Sequence, residues 1–575
     1  VKTANGLDYF VVLIYLAMIL AIGVVFMRLN RGGSDYFRGG NRIPWLVASL
    51  SAFMSGFSAF TFTGMAGIAY KDGLIAVATY IGNASTFLLG YWVFASRWRR
   101  ARISSTMEYL SERFDDRSRR LFSVTTVFFQ IFMGASMLFG VGLFAASVSG
   151  VSPVITTSVA GTVVLVYCML GGLWAVVVAD FLQAVILMPF ALILFTAALV
   201  KTGGLTSMLH QLPANMTSLS LPGYGWIYVV AWTLMVSVGY NTAAQAQRYF
   251  SVDNETSARK AALLCSAMFF VGSLIWFLPP MAMRILYPDV SAVWPGWRHP
   301  EEAAYALASM TFLPNGLIGI MLAAILGATI TSISGLLNLH SAILSKDIYQ
   351  AAFAPHADEK RLLIVGRIAT VAVGVAITLL ATELALTGRS VFQVMVTFNT
   401  IISLAYGPPA LLGLVVKRTP NWSGLLTFSV SLVLGCLGSF VLGWGLVTNV
   451  LTLVPVSVLV FVGTRMFEAS DQAHAPARDC LFERLGRPVD VASELRKSVD
   501  PTRKVFRFLS LTTAAIGVLT LLFLFSVPAG DRITVVSYSV LTLLIAGLLS
   551  LIRGGSPSPR SQTGDRDAQE QLIVR

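Results

Sequence analysis

Apolar stretches long enough to cross a bilayer recur along this chain from end to end, and nothing else in it limits the fold so tightly. A spanning helix needs about 20 predominantly apolar residues, and about fifteen segments fit that pattern. They are 7–28, 44–70, 73–96, 121–149, 154–171, 173–200, 225–247, 260–287, 314–345, 361–386, 390–416, 423–445, 448–466, 506–527 and 533–552. In lipid every backbone amide must be satisfied internally, so the spans are helices. The chain is therefore predicted to be an all-α integral membrane protein. Segment 7–28 lacks a basic leader and a small-residue cleavage site, so it is expected to be a retained helix.

Only 12% of residues are charged, yet the net charge is +13. The basic residues sit in alternate connections. Arg97, Arg99, Arg100, Arg102, Arg113, Arg117, Arg119 and Arg120 follow the third span, and Arg248, Arg259 and Lys260 follow the seventh. Lys346, Lys360, Arg361, Lys417 and Arg418 continue the series, whereas 201–224 holds only Lys201. This asymmetry places the N-terminus outside and the C-terminus in the cytoplasm. It also accounts for the positive charge without a nucleic-acid partner. The expected location is the plasma (inner) membrane, crossed many times.

The four cysteines, Cys168, Cys265, Cys436 and Cys480, have no zinc-like or disulfide-framework spacing. There is no phosphate-binding G-x-x-x-x-G-K-[ST] loop, so ATP-driven transport is not expected. None of the five histidines, His340 included, sits in a catalytic pattern, and the chain is not expected to be an enzyme. Water-facing segments are short. The tail 553–575, rich in Gly, Ser, Pro, Arg and Asp, is predicted to be disordered.

Two spans look interrupted at mid-depth: 44–70 at Met54-Ser55-Gly56-Phe57-Ser58, and 225–247 at Gly239-Tyr240-Asn241. They are the first and sixth members of a ten-helix block, 44–416. Paired interruptions in two halves point to an inverted-repeat transporter with its site at the breaks, while glycine and serine easing helix packing is the plainer alternative. In a third span, Ala328, Thr331 and Ser332 share one helix face, at i, i+3 and i+4. Such a stripe either packs closely or offers oxygens to a hard cation. Carbonyls freed at Met54 and Phe57 would complete a neutral oxygen shell with Ala328, Thr331 and Ser332, suited to a monovalent ion. Asp180 is the one carboxylate placed inside a core span, near its cytoplasmic end, where a functional or an interfacial role is open.

These motifs together resemble the sodium/solute symporter family of sodium–glucose, sodium–proline and sodium–sialic acid transporters. Gly171-Gly172-Leu173-Trp174-Ala175-Val176 with Asp180-Phe181-Leu182-Gln183 is similar to one family signature, and Ala323–Tyr349 to another. Ser55-Gly56 with Gly64-Met65-Ala66-Gly67 resembles the first core helix. Thr106–Phe114, Gln247-Arg248 and Gly413–Thr419 are similar to further family segments. The likeness covers roughly residues 7–466. It implies a five-plus-five inverted-repeat core of the leucine-transporter type, working by alternating access, with one helix before it and about four after. The implied parts are the first helix and loop (1–43), first repeat (44–200), extracellular loop (201–224), second repeat (225–416) and additional helices (417–552), with a cytoplasmic loop at 467–504. The resemblance also implies sodium bound by Met54, Phe57, Ala328, Thr331 and Ser332, with Asp180 near the ion's inner exit.

Solute recognition transfers less well. The resemblance to the glucose-type members puts their sugar-contacting acidic residue near Ile81, with Asn83 the nearest polar group, their lysine near Phe269 and their glutamine near Val396. Candidate polar contacts are instead Ser55, Ser58, Thr61, Asn83, Gln130, Asn241, Thr397 and Asn399. No Arg or Lys is expected at mid-membrane in the core, which favours a neutral or zwitterionic solute such as a sugar, polyol or amino acid. The expected function is sodium-coupled import of such a solute, with sodium as coupling ion and no other cofactor. The alternative is a sensor that keeps the fold and signals to a partner.

Overall fold

In a computed structural model of the protein, the residues described are 2–27, 43–103, 106–168, 173–219, 225–350, 353–354, 356–470, 474–491 and 502–552. Every regular element among them is a helix. Eleven helices are long and apolar enough to cross a membrane, and a bent pair, Trp45–Met54 with Ala59–Asp72, brings the number to 12. Gly6–Ala21, Pro153–Cys168 and Trp226–Tyr240 are apolar but shorter. They lie in the expected spans 7–28, 154–171 and 225–247. Twelve of the fifteen expected spans thus contain a helix or bent pair that is long and apolar enough to cross among the described residues.

The first half of the chain contains α1 (Gly6–Met27), α2 (Trp45–Ser55), α3 (Ala59–Phe62), α4 (Gly64–Asp72), α5 (Leu74–Leu89) and α6 (Thr106–Arg113). It continues through α7 (Asp116–Ser149), α8 (Pro153–Cys168) and α9 (Leu173–Thr202). The second half begins with α10 (Trp226–Tyr240), α11 (Ala243–Phe250), α12 (Glu255–Leu286) and α13 (Leu317–Ala342). Then follow α14 (Glu359–Thr387), α15 (Val391–Val415), α16 (Ser423–Cys436), α17 (Leu446–Gly463), α18 (Ala475–Gly486), α19 (Thr502–Leu521) and α20 (Arg532–Ser550). The end of the bundle that carries α6 is called inner here, following the charge asymmetry.

Helix starts are set by side chains that satisfy otherwise unpaired backbone N–H groups. Asp115 accepts from Ser118 N ahead of α7, Asn254 from Ser257 N ahead of α12, and Asp358 from Arg361 N ahead of α14. α13 is the hub, packed against α1, α7, α8, α9 and α14. Its apolar stretch is 94% buried, against 22% for Val505–Phe525, whose remaining surface is left for lipid.

The start of α13 is completed by another helix. Asp8 of α1 is buried, and its Oδ1 accepts from the backbone N–H of Gly316 (2.6 Å) and Gly319 (2.7 Å). Its Oδ2 accepts from Asn315 Nδ2 at 2.8 Å. Glycine is required at 319, since a Cβ there would lie 2.5 Å from the Asp8 carbonyl oxygen. At the inner end, the part of 467–504 that was expected to be a loop forms α18. That helix is fastened by Arg484 to Glu112 and by Asp479 to Lys417 (3.2 Å). Gly171-Gly172, the loop basic residues 28–42 and the tail 553–575 lie outside the described residues.

Candidate functional site

The chain leaves α2 at Ser55 and resumes helix at Ala59, turned by 54°. Ser58 is extended at the restart and its side chain accepts from Phe60 N at 3.3 Å. Three other groups at the break reach partners across the bundle, and one closes a local turn. Ala59 N–H donates to Thr329 Oγ1 (3.1 Å), and the Gly56 carbonyl accepts from Tyr240 Oη (3.5 Å). The Met54 carbonyl accepts from Phe57 N at 2.9 Å. The Phe57 carbonyl oxygen lies 3.4 Å from Ser332 Oγ.

α13 brings the facing oxygens. Ser332 Oγ and Thr331 Oγ1 both donate to the Ala328 carbonyl, at 2.9 and 3.1 Å. The carbonyls of Phe57 and Ala328 and the hydroxyls of Thr331 and Ser332 thus form one linked cluster, with the Met54 carbonyl joined to it through Phe57. Each hydroxyl keeps lone pairs free while it donates, and each carbonyl has two. Neutral oxygens of this kind fit a sodium ion by softness and by charge. Among the described residues no three His, Cys, Asp or Glu side chains are grouped to hold a metal.

The cluster touches a buried charge pair. Thr331 Oγ1 also lies 3.1 Å from Gln183 Oε1, one turn along α9 from Asp180. Asp180 Oδ2 accepts from Ser51 Oγ at 2.7 Å and stands 3.5 Å from Arg248 Nη2. Arg248 Nε reaches Ser51 Oγ at 3.1 Å. Arg248 was counted with the loop cations in the sequence. Here it belongs to α11 and is 5% exposed, so its role in the charge asymmetry gives way to pairing with Asp180.

Beside the cluster lies a cavity of about 200 Å³. Both helix breaks border it, through Gly56 and Ser58 on one side and Gly239 and Tyr240 on the other. Four of the expected solute contacts line it: Ser58, Asn83, Gln130 and Asn399. Thr61, Asn241 and Thr397 do not. Thr61 Oγ1 is bonded to Tyr80 Oη at 2.7 Å. Asn241 is 1% exposed and donates to the carbonyls of Thr86 (3.1 Å) and Ser237 (2.9 Å), so its amide fastens α10 to α5. The backbone of Ser55 ends α2, and its side chain is outside the described set.

Sequence reasoning missed the aromatic wall, Tyr80, Trp232 and Tyr240, and the polar pair Thr126 and Ser403. The latter two had a signal, standing one turn from Gln130 and Asn399. Trp232 Nε1 donates to Asn83 Oδ1 (3.3 Å) and Ser403 Oγ to Asn399 Oδ1 (3.0 Å). Gln130 Oε1 and Thr126 Oγ1 have no hydrogen-bond partner. Phe269 is packed against Phe53 (4.9 Å) and Phe87 (5.3 Å).

Toward the outer end, Phe392 at the start of α15 stacks on Phe60 (6.0 Å, 13°) and Trp232 (6.4 Å, 6°). Above it Glu302, 3% exposed in the turn Pro300–Ala303, caps α15. Burial raises the Glu302 carboxyl above the ordinary range. The Ser390 hydroxyl and the backbone N–H groups of Phe392 and Val391 pull it back.

A membrane helix broken at mid-depth, facing a hydroxyl-bearing partner beside a small polar cavity, is the arrangement of a secondary transporter. Residues 36–430 match the family model described as "Sodium:solute symporter family", and the chain belongs to that family. It is a multi-pass membrane transporter of the sodium-coupled type. It is similar to the sodium/sialic acid symporter NanT of Aliivibrio fischeri, 27% identical over 441 residues that cover 74% of this chain and 86% of that one. It is also similar to sodium/glucose cotransporter 2 of Rattus norvegicus, 27% identical over 461 residues that cover 72% and 68% respectively. A solved structure of a sodium-coupled sialic acid symporter in a substrate-bound outward-open state shares the fold. Its TM-score is 0.69 at 23% identity, covering 80% of this chain and 98% of that one. These relatives are transporters, and the sensor alternative gains no support from them.

Proposed function

We propose that the protein imports a small neutral or zwitterionic solute together with sodium by alternating access. In this reading sodium is held by the carbonyls of Met54, Phe57 and Ala328 and the hydroxyls of Thr331 and Ser332. The observation that carries it is the meeting of the Phe57 carbonyl, freed by the helix break, with Ser332 Oγ on α13. The solute occupies the adjoining cavity, whose lining residues are all uncharged. Its volume lies below the roughly 300–1,000 Å³ of drug-sized sites, so the solute is small. Ser58, Asn83, Gln130 and Asn399 supply donors and acceptors for hydroxyl, amide or zwitterionic groups. Asp180, neutralised by Arg248, acts on the ion through Thr331 rather than as a direct ligand.

The architecture is a five-plus-five repeat over 44–416 within about fifteen helices, with the N-terminus outside. One sodium ion moving down a tenfold gradient at 100 mV supplies roughly 3.7 kcal/mol, which sustains about 500-fold accumulation of a neutral solute. The test is uptake into proteoliposomes driven by an inward sodium gradient, screened over sugars, polyols, amino acids and organic acids. Uptake that ignores sodium defeats the ion assignment. Uptake restricted to anions defeats the solute class.

A further inference from the structure

Glu302 occupies a position that neither the ion cluster nor the cavity requires. It lies in a four-residue turn between α12 and α13, far in sequence from the helix it touches. Its Oε1 accepts from Ser390 Oγ at 2.6 Å and from Phe392 N at 3.1 Å, and its Oε2 accepts from Val391 N at 3.0 Å. The donors are all neutral. Two of them are among the four N–H groups that every helix leaves unpaired at its start, and an anion there is favoured by the helix dipole. Ser390 Oγ in turn accepts from Gln393 N at 3.2 Å, so hydroxyl and carboxylate together finish the first turn of α15.

The same residue presses on the broken helix. A Cβ at Gly67 of α4 would come within 3.1 Å of Glu302 Cγ and 3.2 Å of its Cα. Three elements therefore meet at one side chain: the linker turn, the outer half of the broken helix, and the first turn of α15. α4 also meets α15 directly, since a Cβ at Gly64 would fall 3.1 Å from Phe392 Cα. Phe392, held by Glu302, is the ring that stacks on Phe60 and Trp232, both of which line the cavity.

We propose that Glu302 is a positioning residue of the transport cycle, a clasp that holds α15 against α4 and so keeps the cavity shut on the side where Glu302 lies. The proposal rests on the transporter reading above. Its physical basis is all-or-none. A buried carboxylate without its donors is costly, so the clasp is either fully made or abandoned to water. Packed elements with two such arrangements are what alternating access needs. A mere structural cap would lower stability when removed, without changing access to the cavity.

The experiment reads access directly. Val236 lines the cavity, and Val236→Cys is introduced with Cys436 and Cys480 changed to Ser, leaving the buried Cys168 and Cys265. A membrane-impermeant maleimide is applied to vesicles from the Glu302 side. Glu302→Gln is expected to raise the labelling rate at least tenfold, with Glu302→Asp returning it toward the parent rate. Ser390→Ala, which removes one bond of the clasp, is expected to give a smaller rise and decides the matter if Glu302→Gln does not fold. Parent-like labelling in folded Glu302→Gln, or in Ser390→Ala where that is the only folded variant, overturns the proposal. Sodium-dependent change of labelling in the parent tests the ion reading separately. Its absence would defeat that reading while leaving the comparison between variants intact.

Discussion

Asp180→Asn is the substitution whose cost follows most directly from the structure. The Asp180 and Arg248 side chains are 3% and 6% exposed, and their closest charged atoms stand 3.5 Å apart. Asparagine keeps an oxygen for the Ser51 hydroxyl but removes the charge that offsets the guanidinium. Arg248 then stays buried with its neutral contacts, Ser51 Oγ at 3.1 Å and Gln247 Oε1 at 3.2 Å. Removing one partner of a buried pair costs about 3–5 kcal/mol, a large part of the roughly 5–15 kcal/mol that holds a folded protein together. The expected result is a thermal midpoint in detergent lowered by several degrees. Asp180→Asn/Arg248→Met should lose less than the two single changes combined, with a coupling of about 0.5–3 kcal/mol. Asp180→Glu, which keeps the charge, should fall between parent and Asp180→Asn in both midpoint and sodium-driven uptake per folded molecule. A parent-like midpoint and uptake for Asp180→Asn would refute the pairing as the source of stability. A strictly additive double variant would refute the coupling.

Thr331→Ala and Ser332→Ala should each raise the sodium concentration for half-maximal uptake by about tenfold, the cost of roughly one hydrogen-bonded ligand. Both hydroxyls bond back to Ala328 within α13, so the helix itself should persist, which circular dichroism would verify. Gln130→Leu and Asn399→Leu should raise KM for the solute several-fold while leaving sodium binding in its absence unchanged; an unaltered KM for both would remove them from the cavity's contacts. Asn241→Ala should behave oppositely, costing about 1–3 kcal/mol of stability, read as a lowered thermal midpoint, with little change in KM, because its amide joins α10 to α5.

The sequence carried the membrane class and the shared face of Ala328, Thr331 and Ser332 because both are local signals. Hydropathy needs only a window of neighbours, and Ala328, Thr331 and Ser332 share a face by helical spacing alone. The first break was legible at Met54–Ser58 because Gly and Ser interrupt an apolar run there. The second was legible too, yet the span drawn over 225–247 joined an apolar helix to α11, whose Gln245, Gln247 and Arg248 do not belong in lipid. Charge counting then sent Arg248 to a loop. Only the folded chain shows Asp180 beside it, because pairing between distant segments leaves no periodic trace. The cap at Glu302 and the inner helix α18 were hidden for the same reason: each depends on a partner supplied by tertiary contact. Asn241 stood at a break, as a solute ligand would, but it does not line the cavity, and its amide nitrogen is engaged by the carbonyls of Thr86 and Ser237.

Asp8 carries a consequence for what counts as the working unit. The helix that bears Thr331 and Ser332 does not begin by its own means. Its first amides, at Gly316 and Gly319, end on a carboxylate lent by α1, a helix outside the ten-helix block. A block cut free of its preceding helix would thus start α13 with bare donors facing an apolar neighbourhood. Those donors would draw water to the outer end of the very helix that positions Thr331 and Ser332. The peripheral helix is therefore less an ornament to the carrier than its keystone, and the smallest competent piece of this chain extends back at least to Asp8.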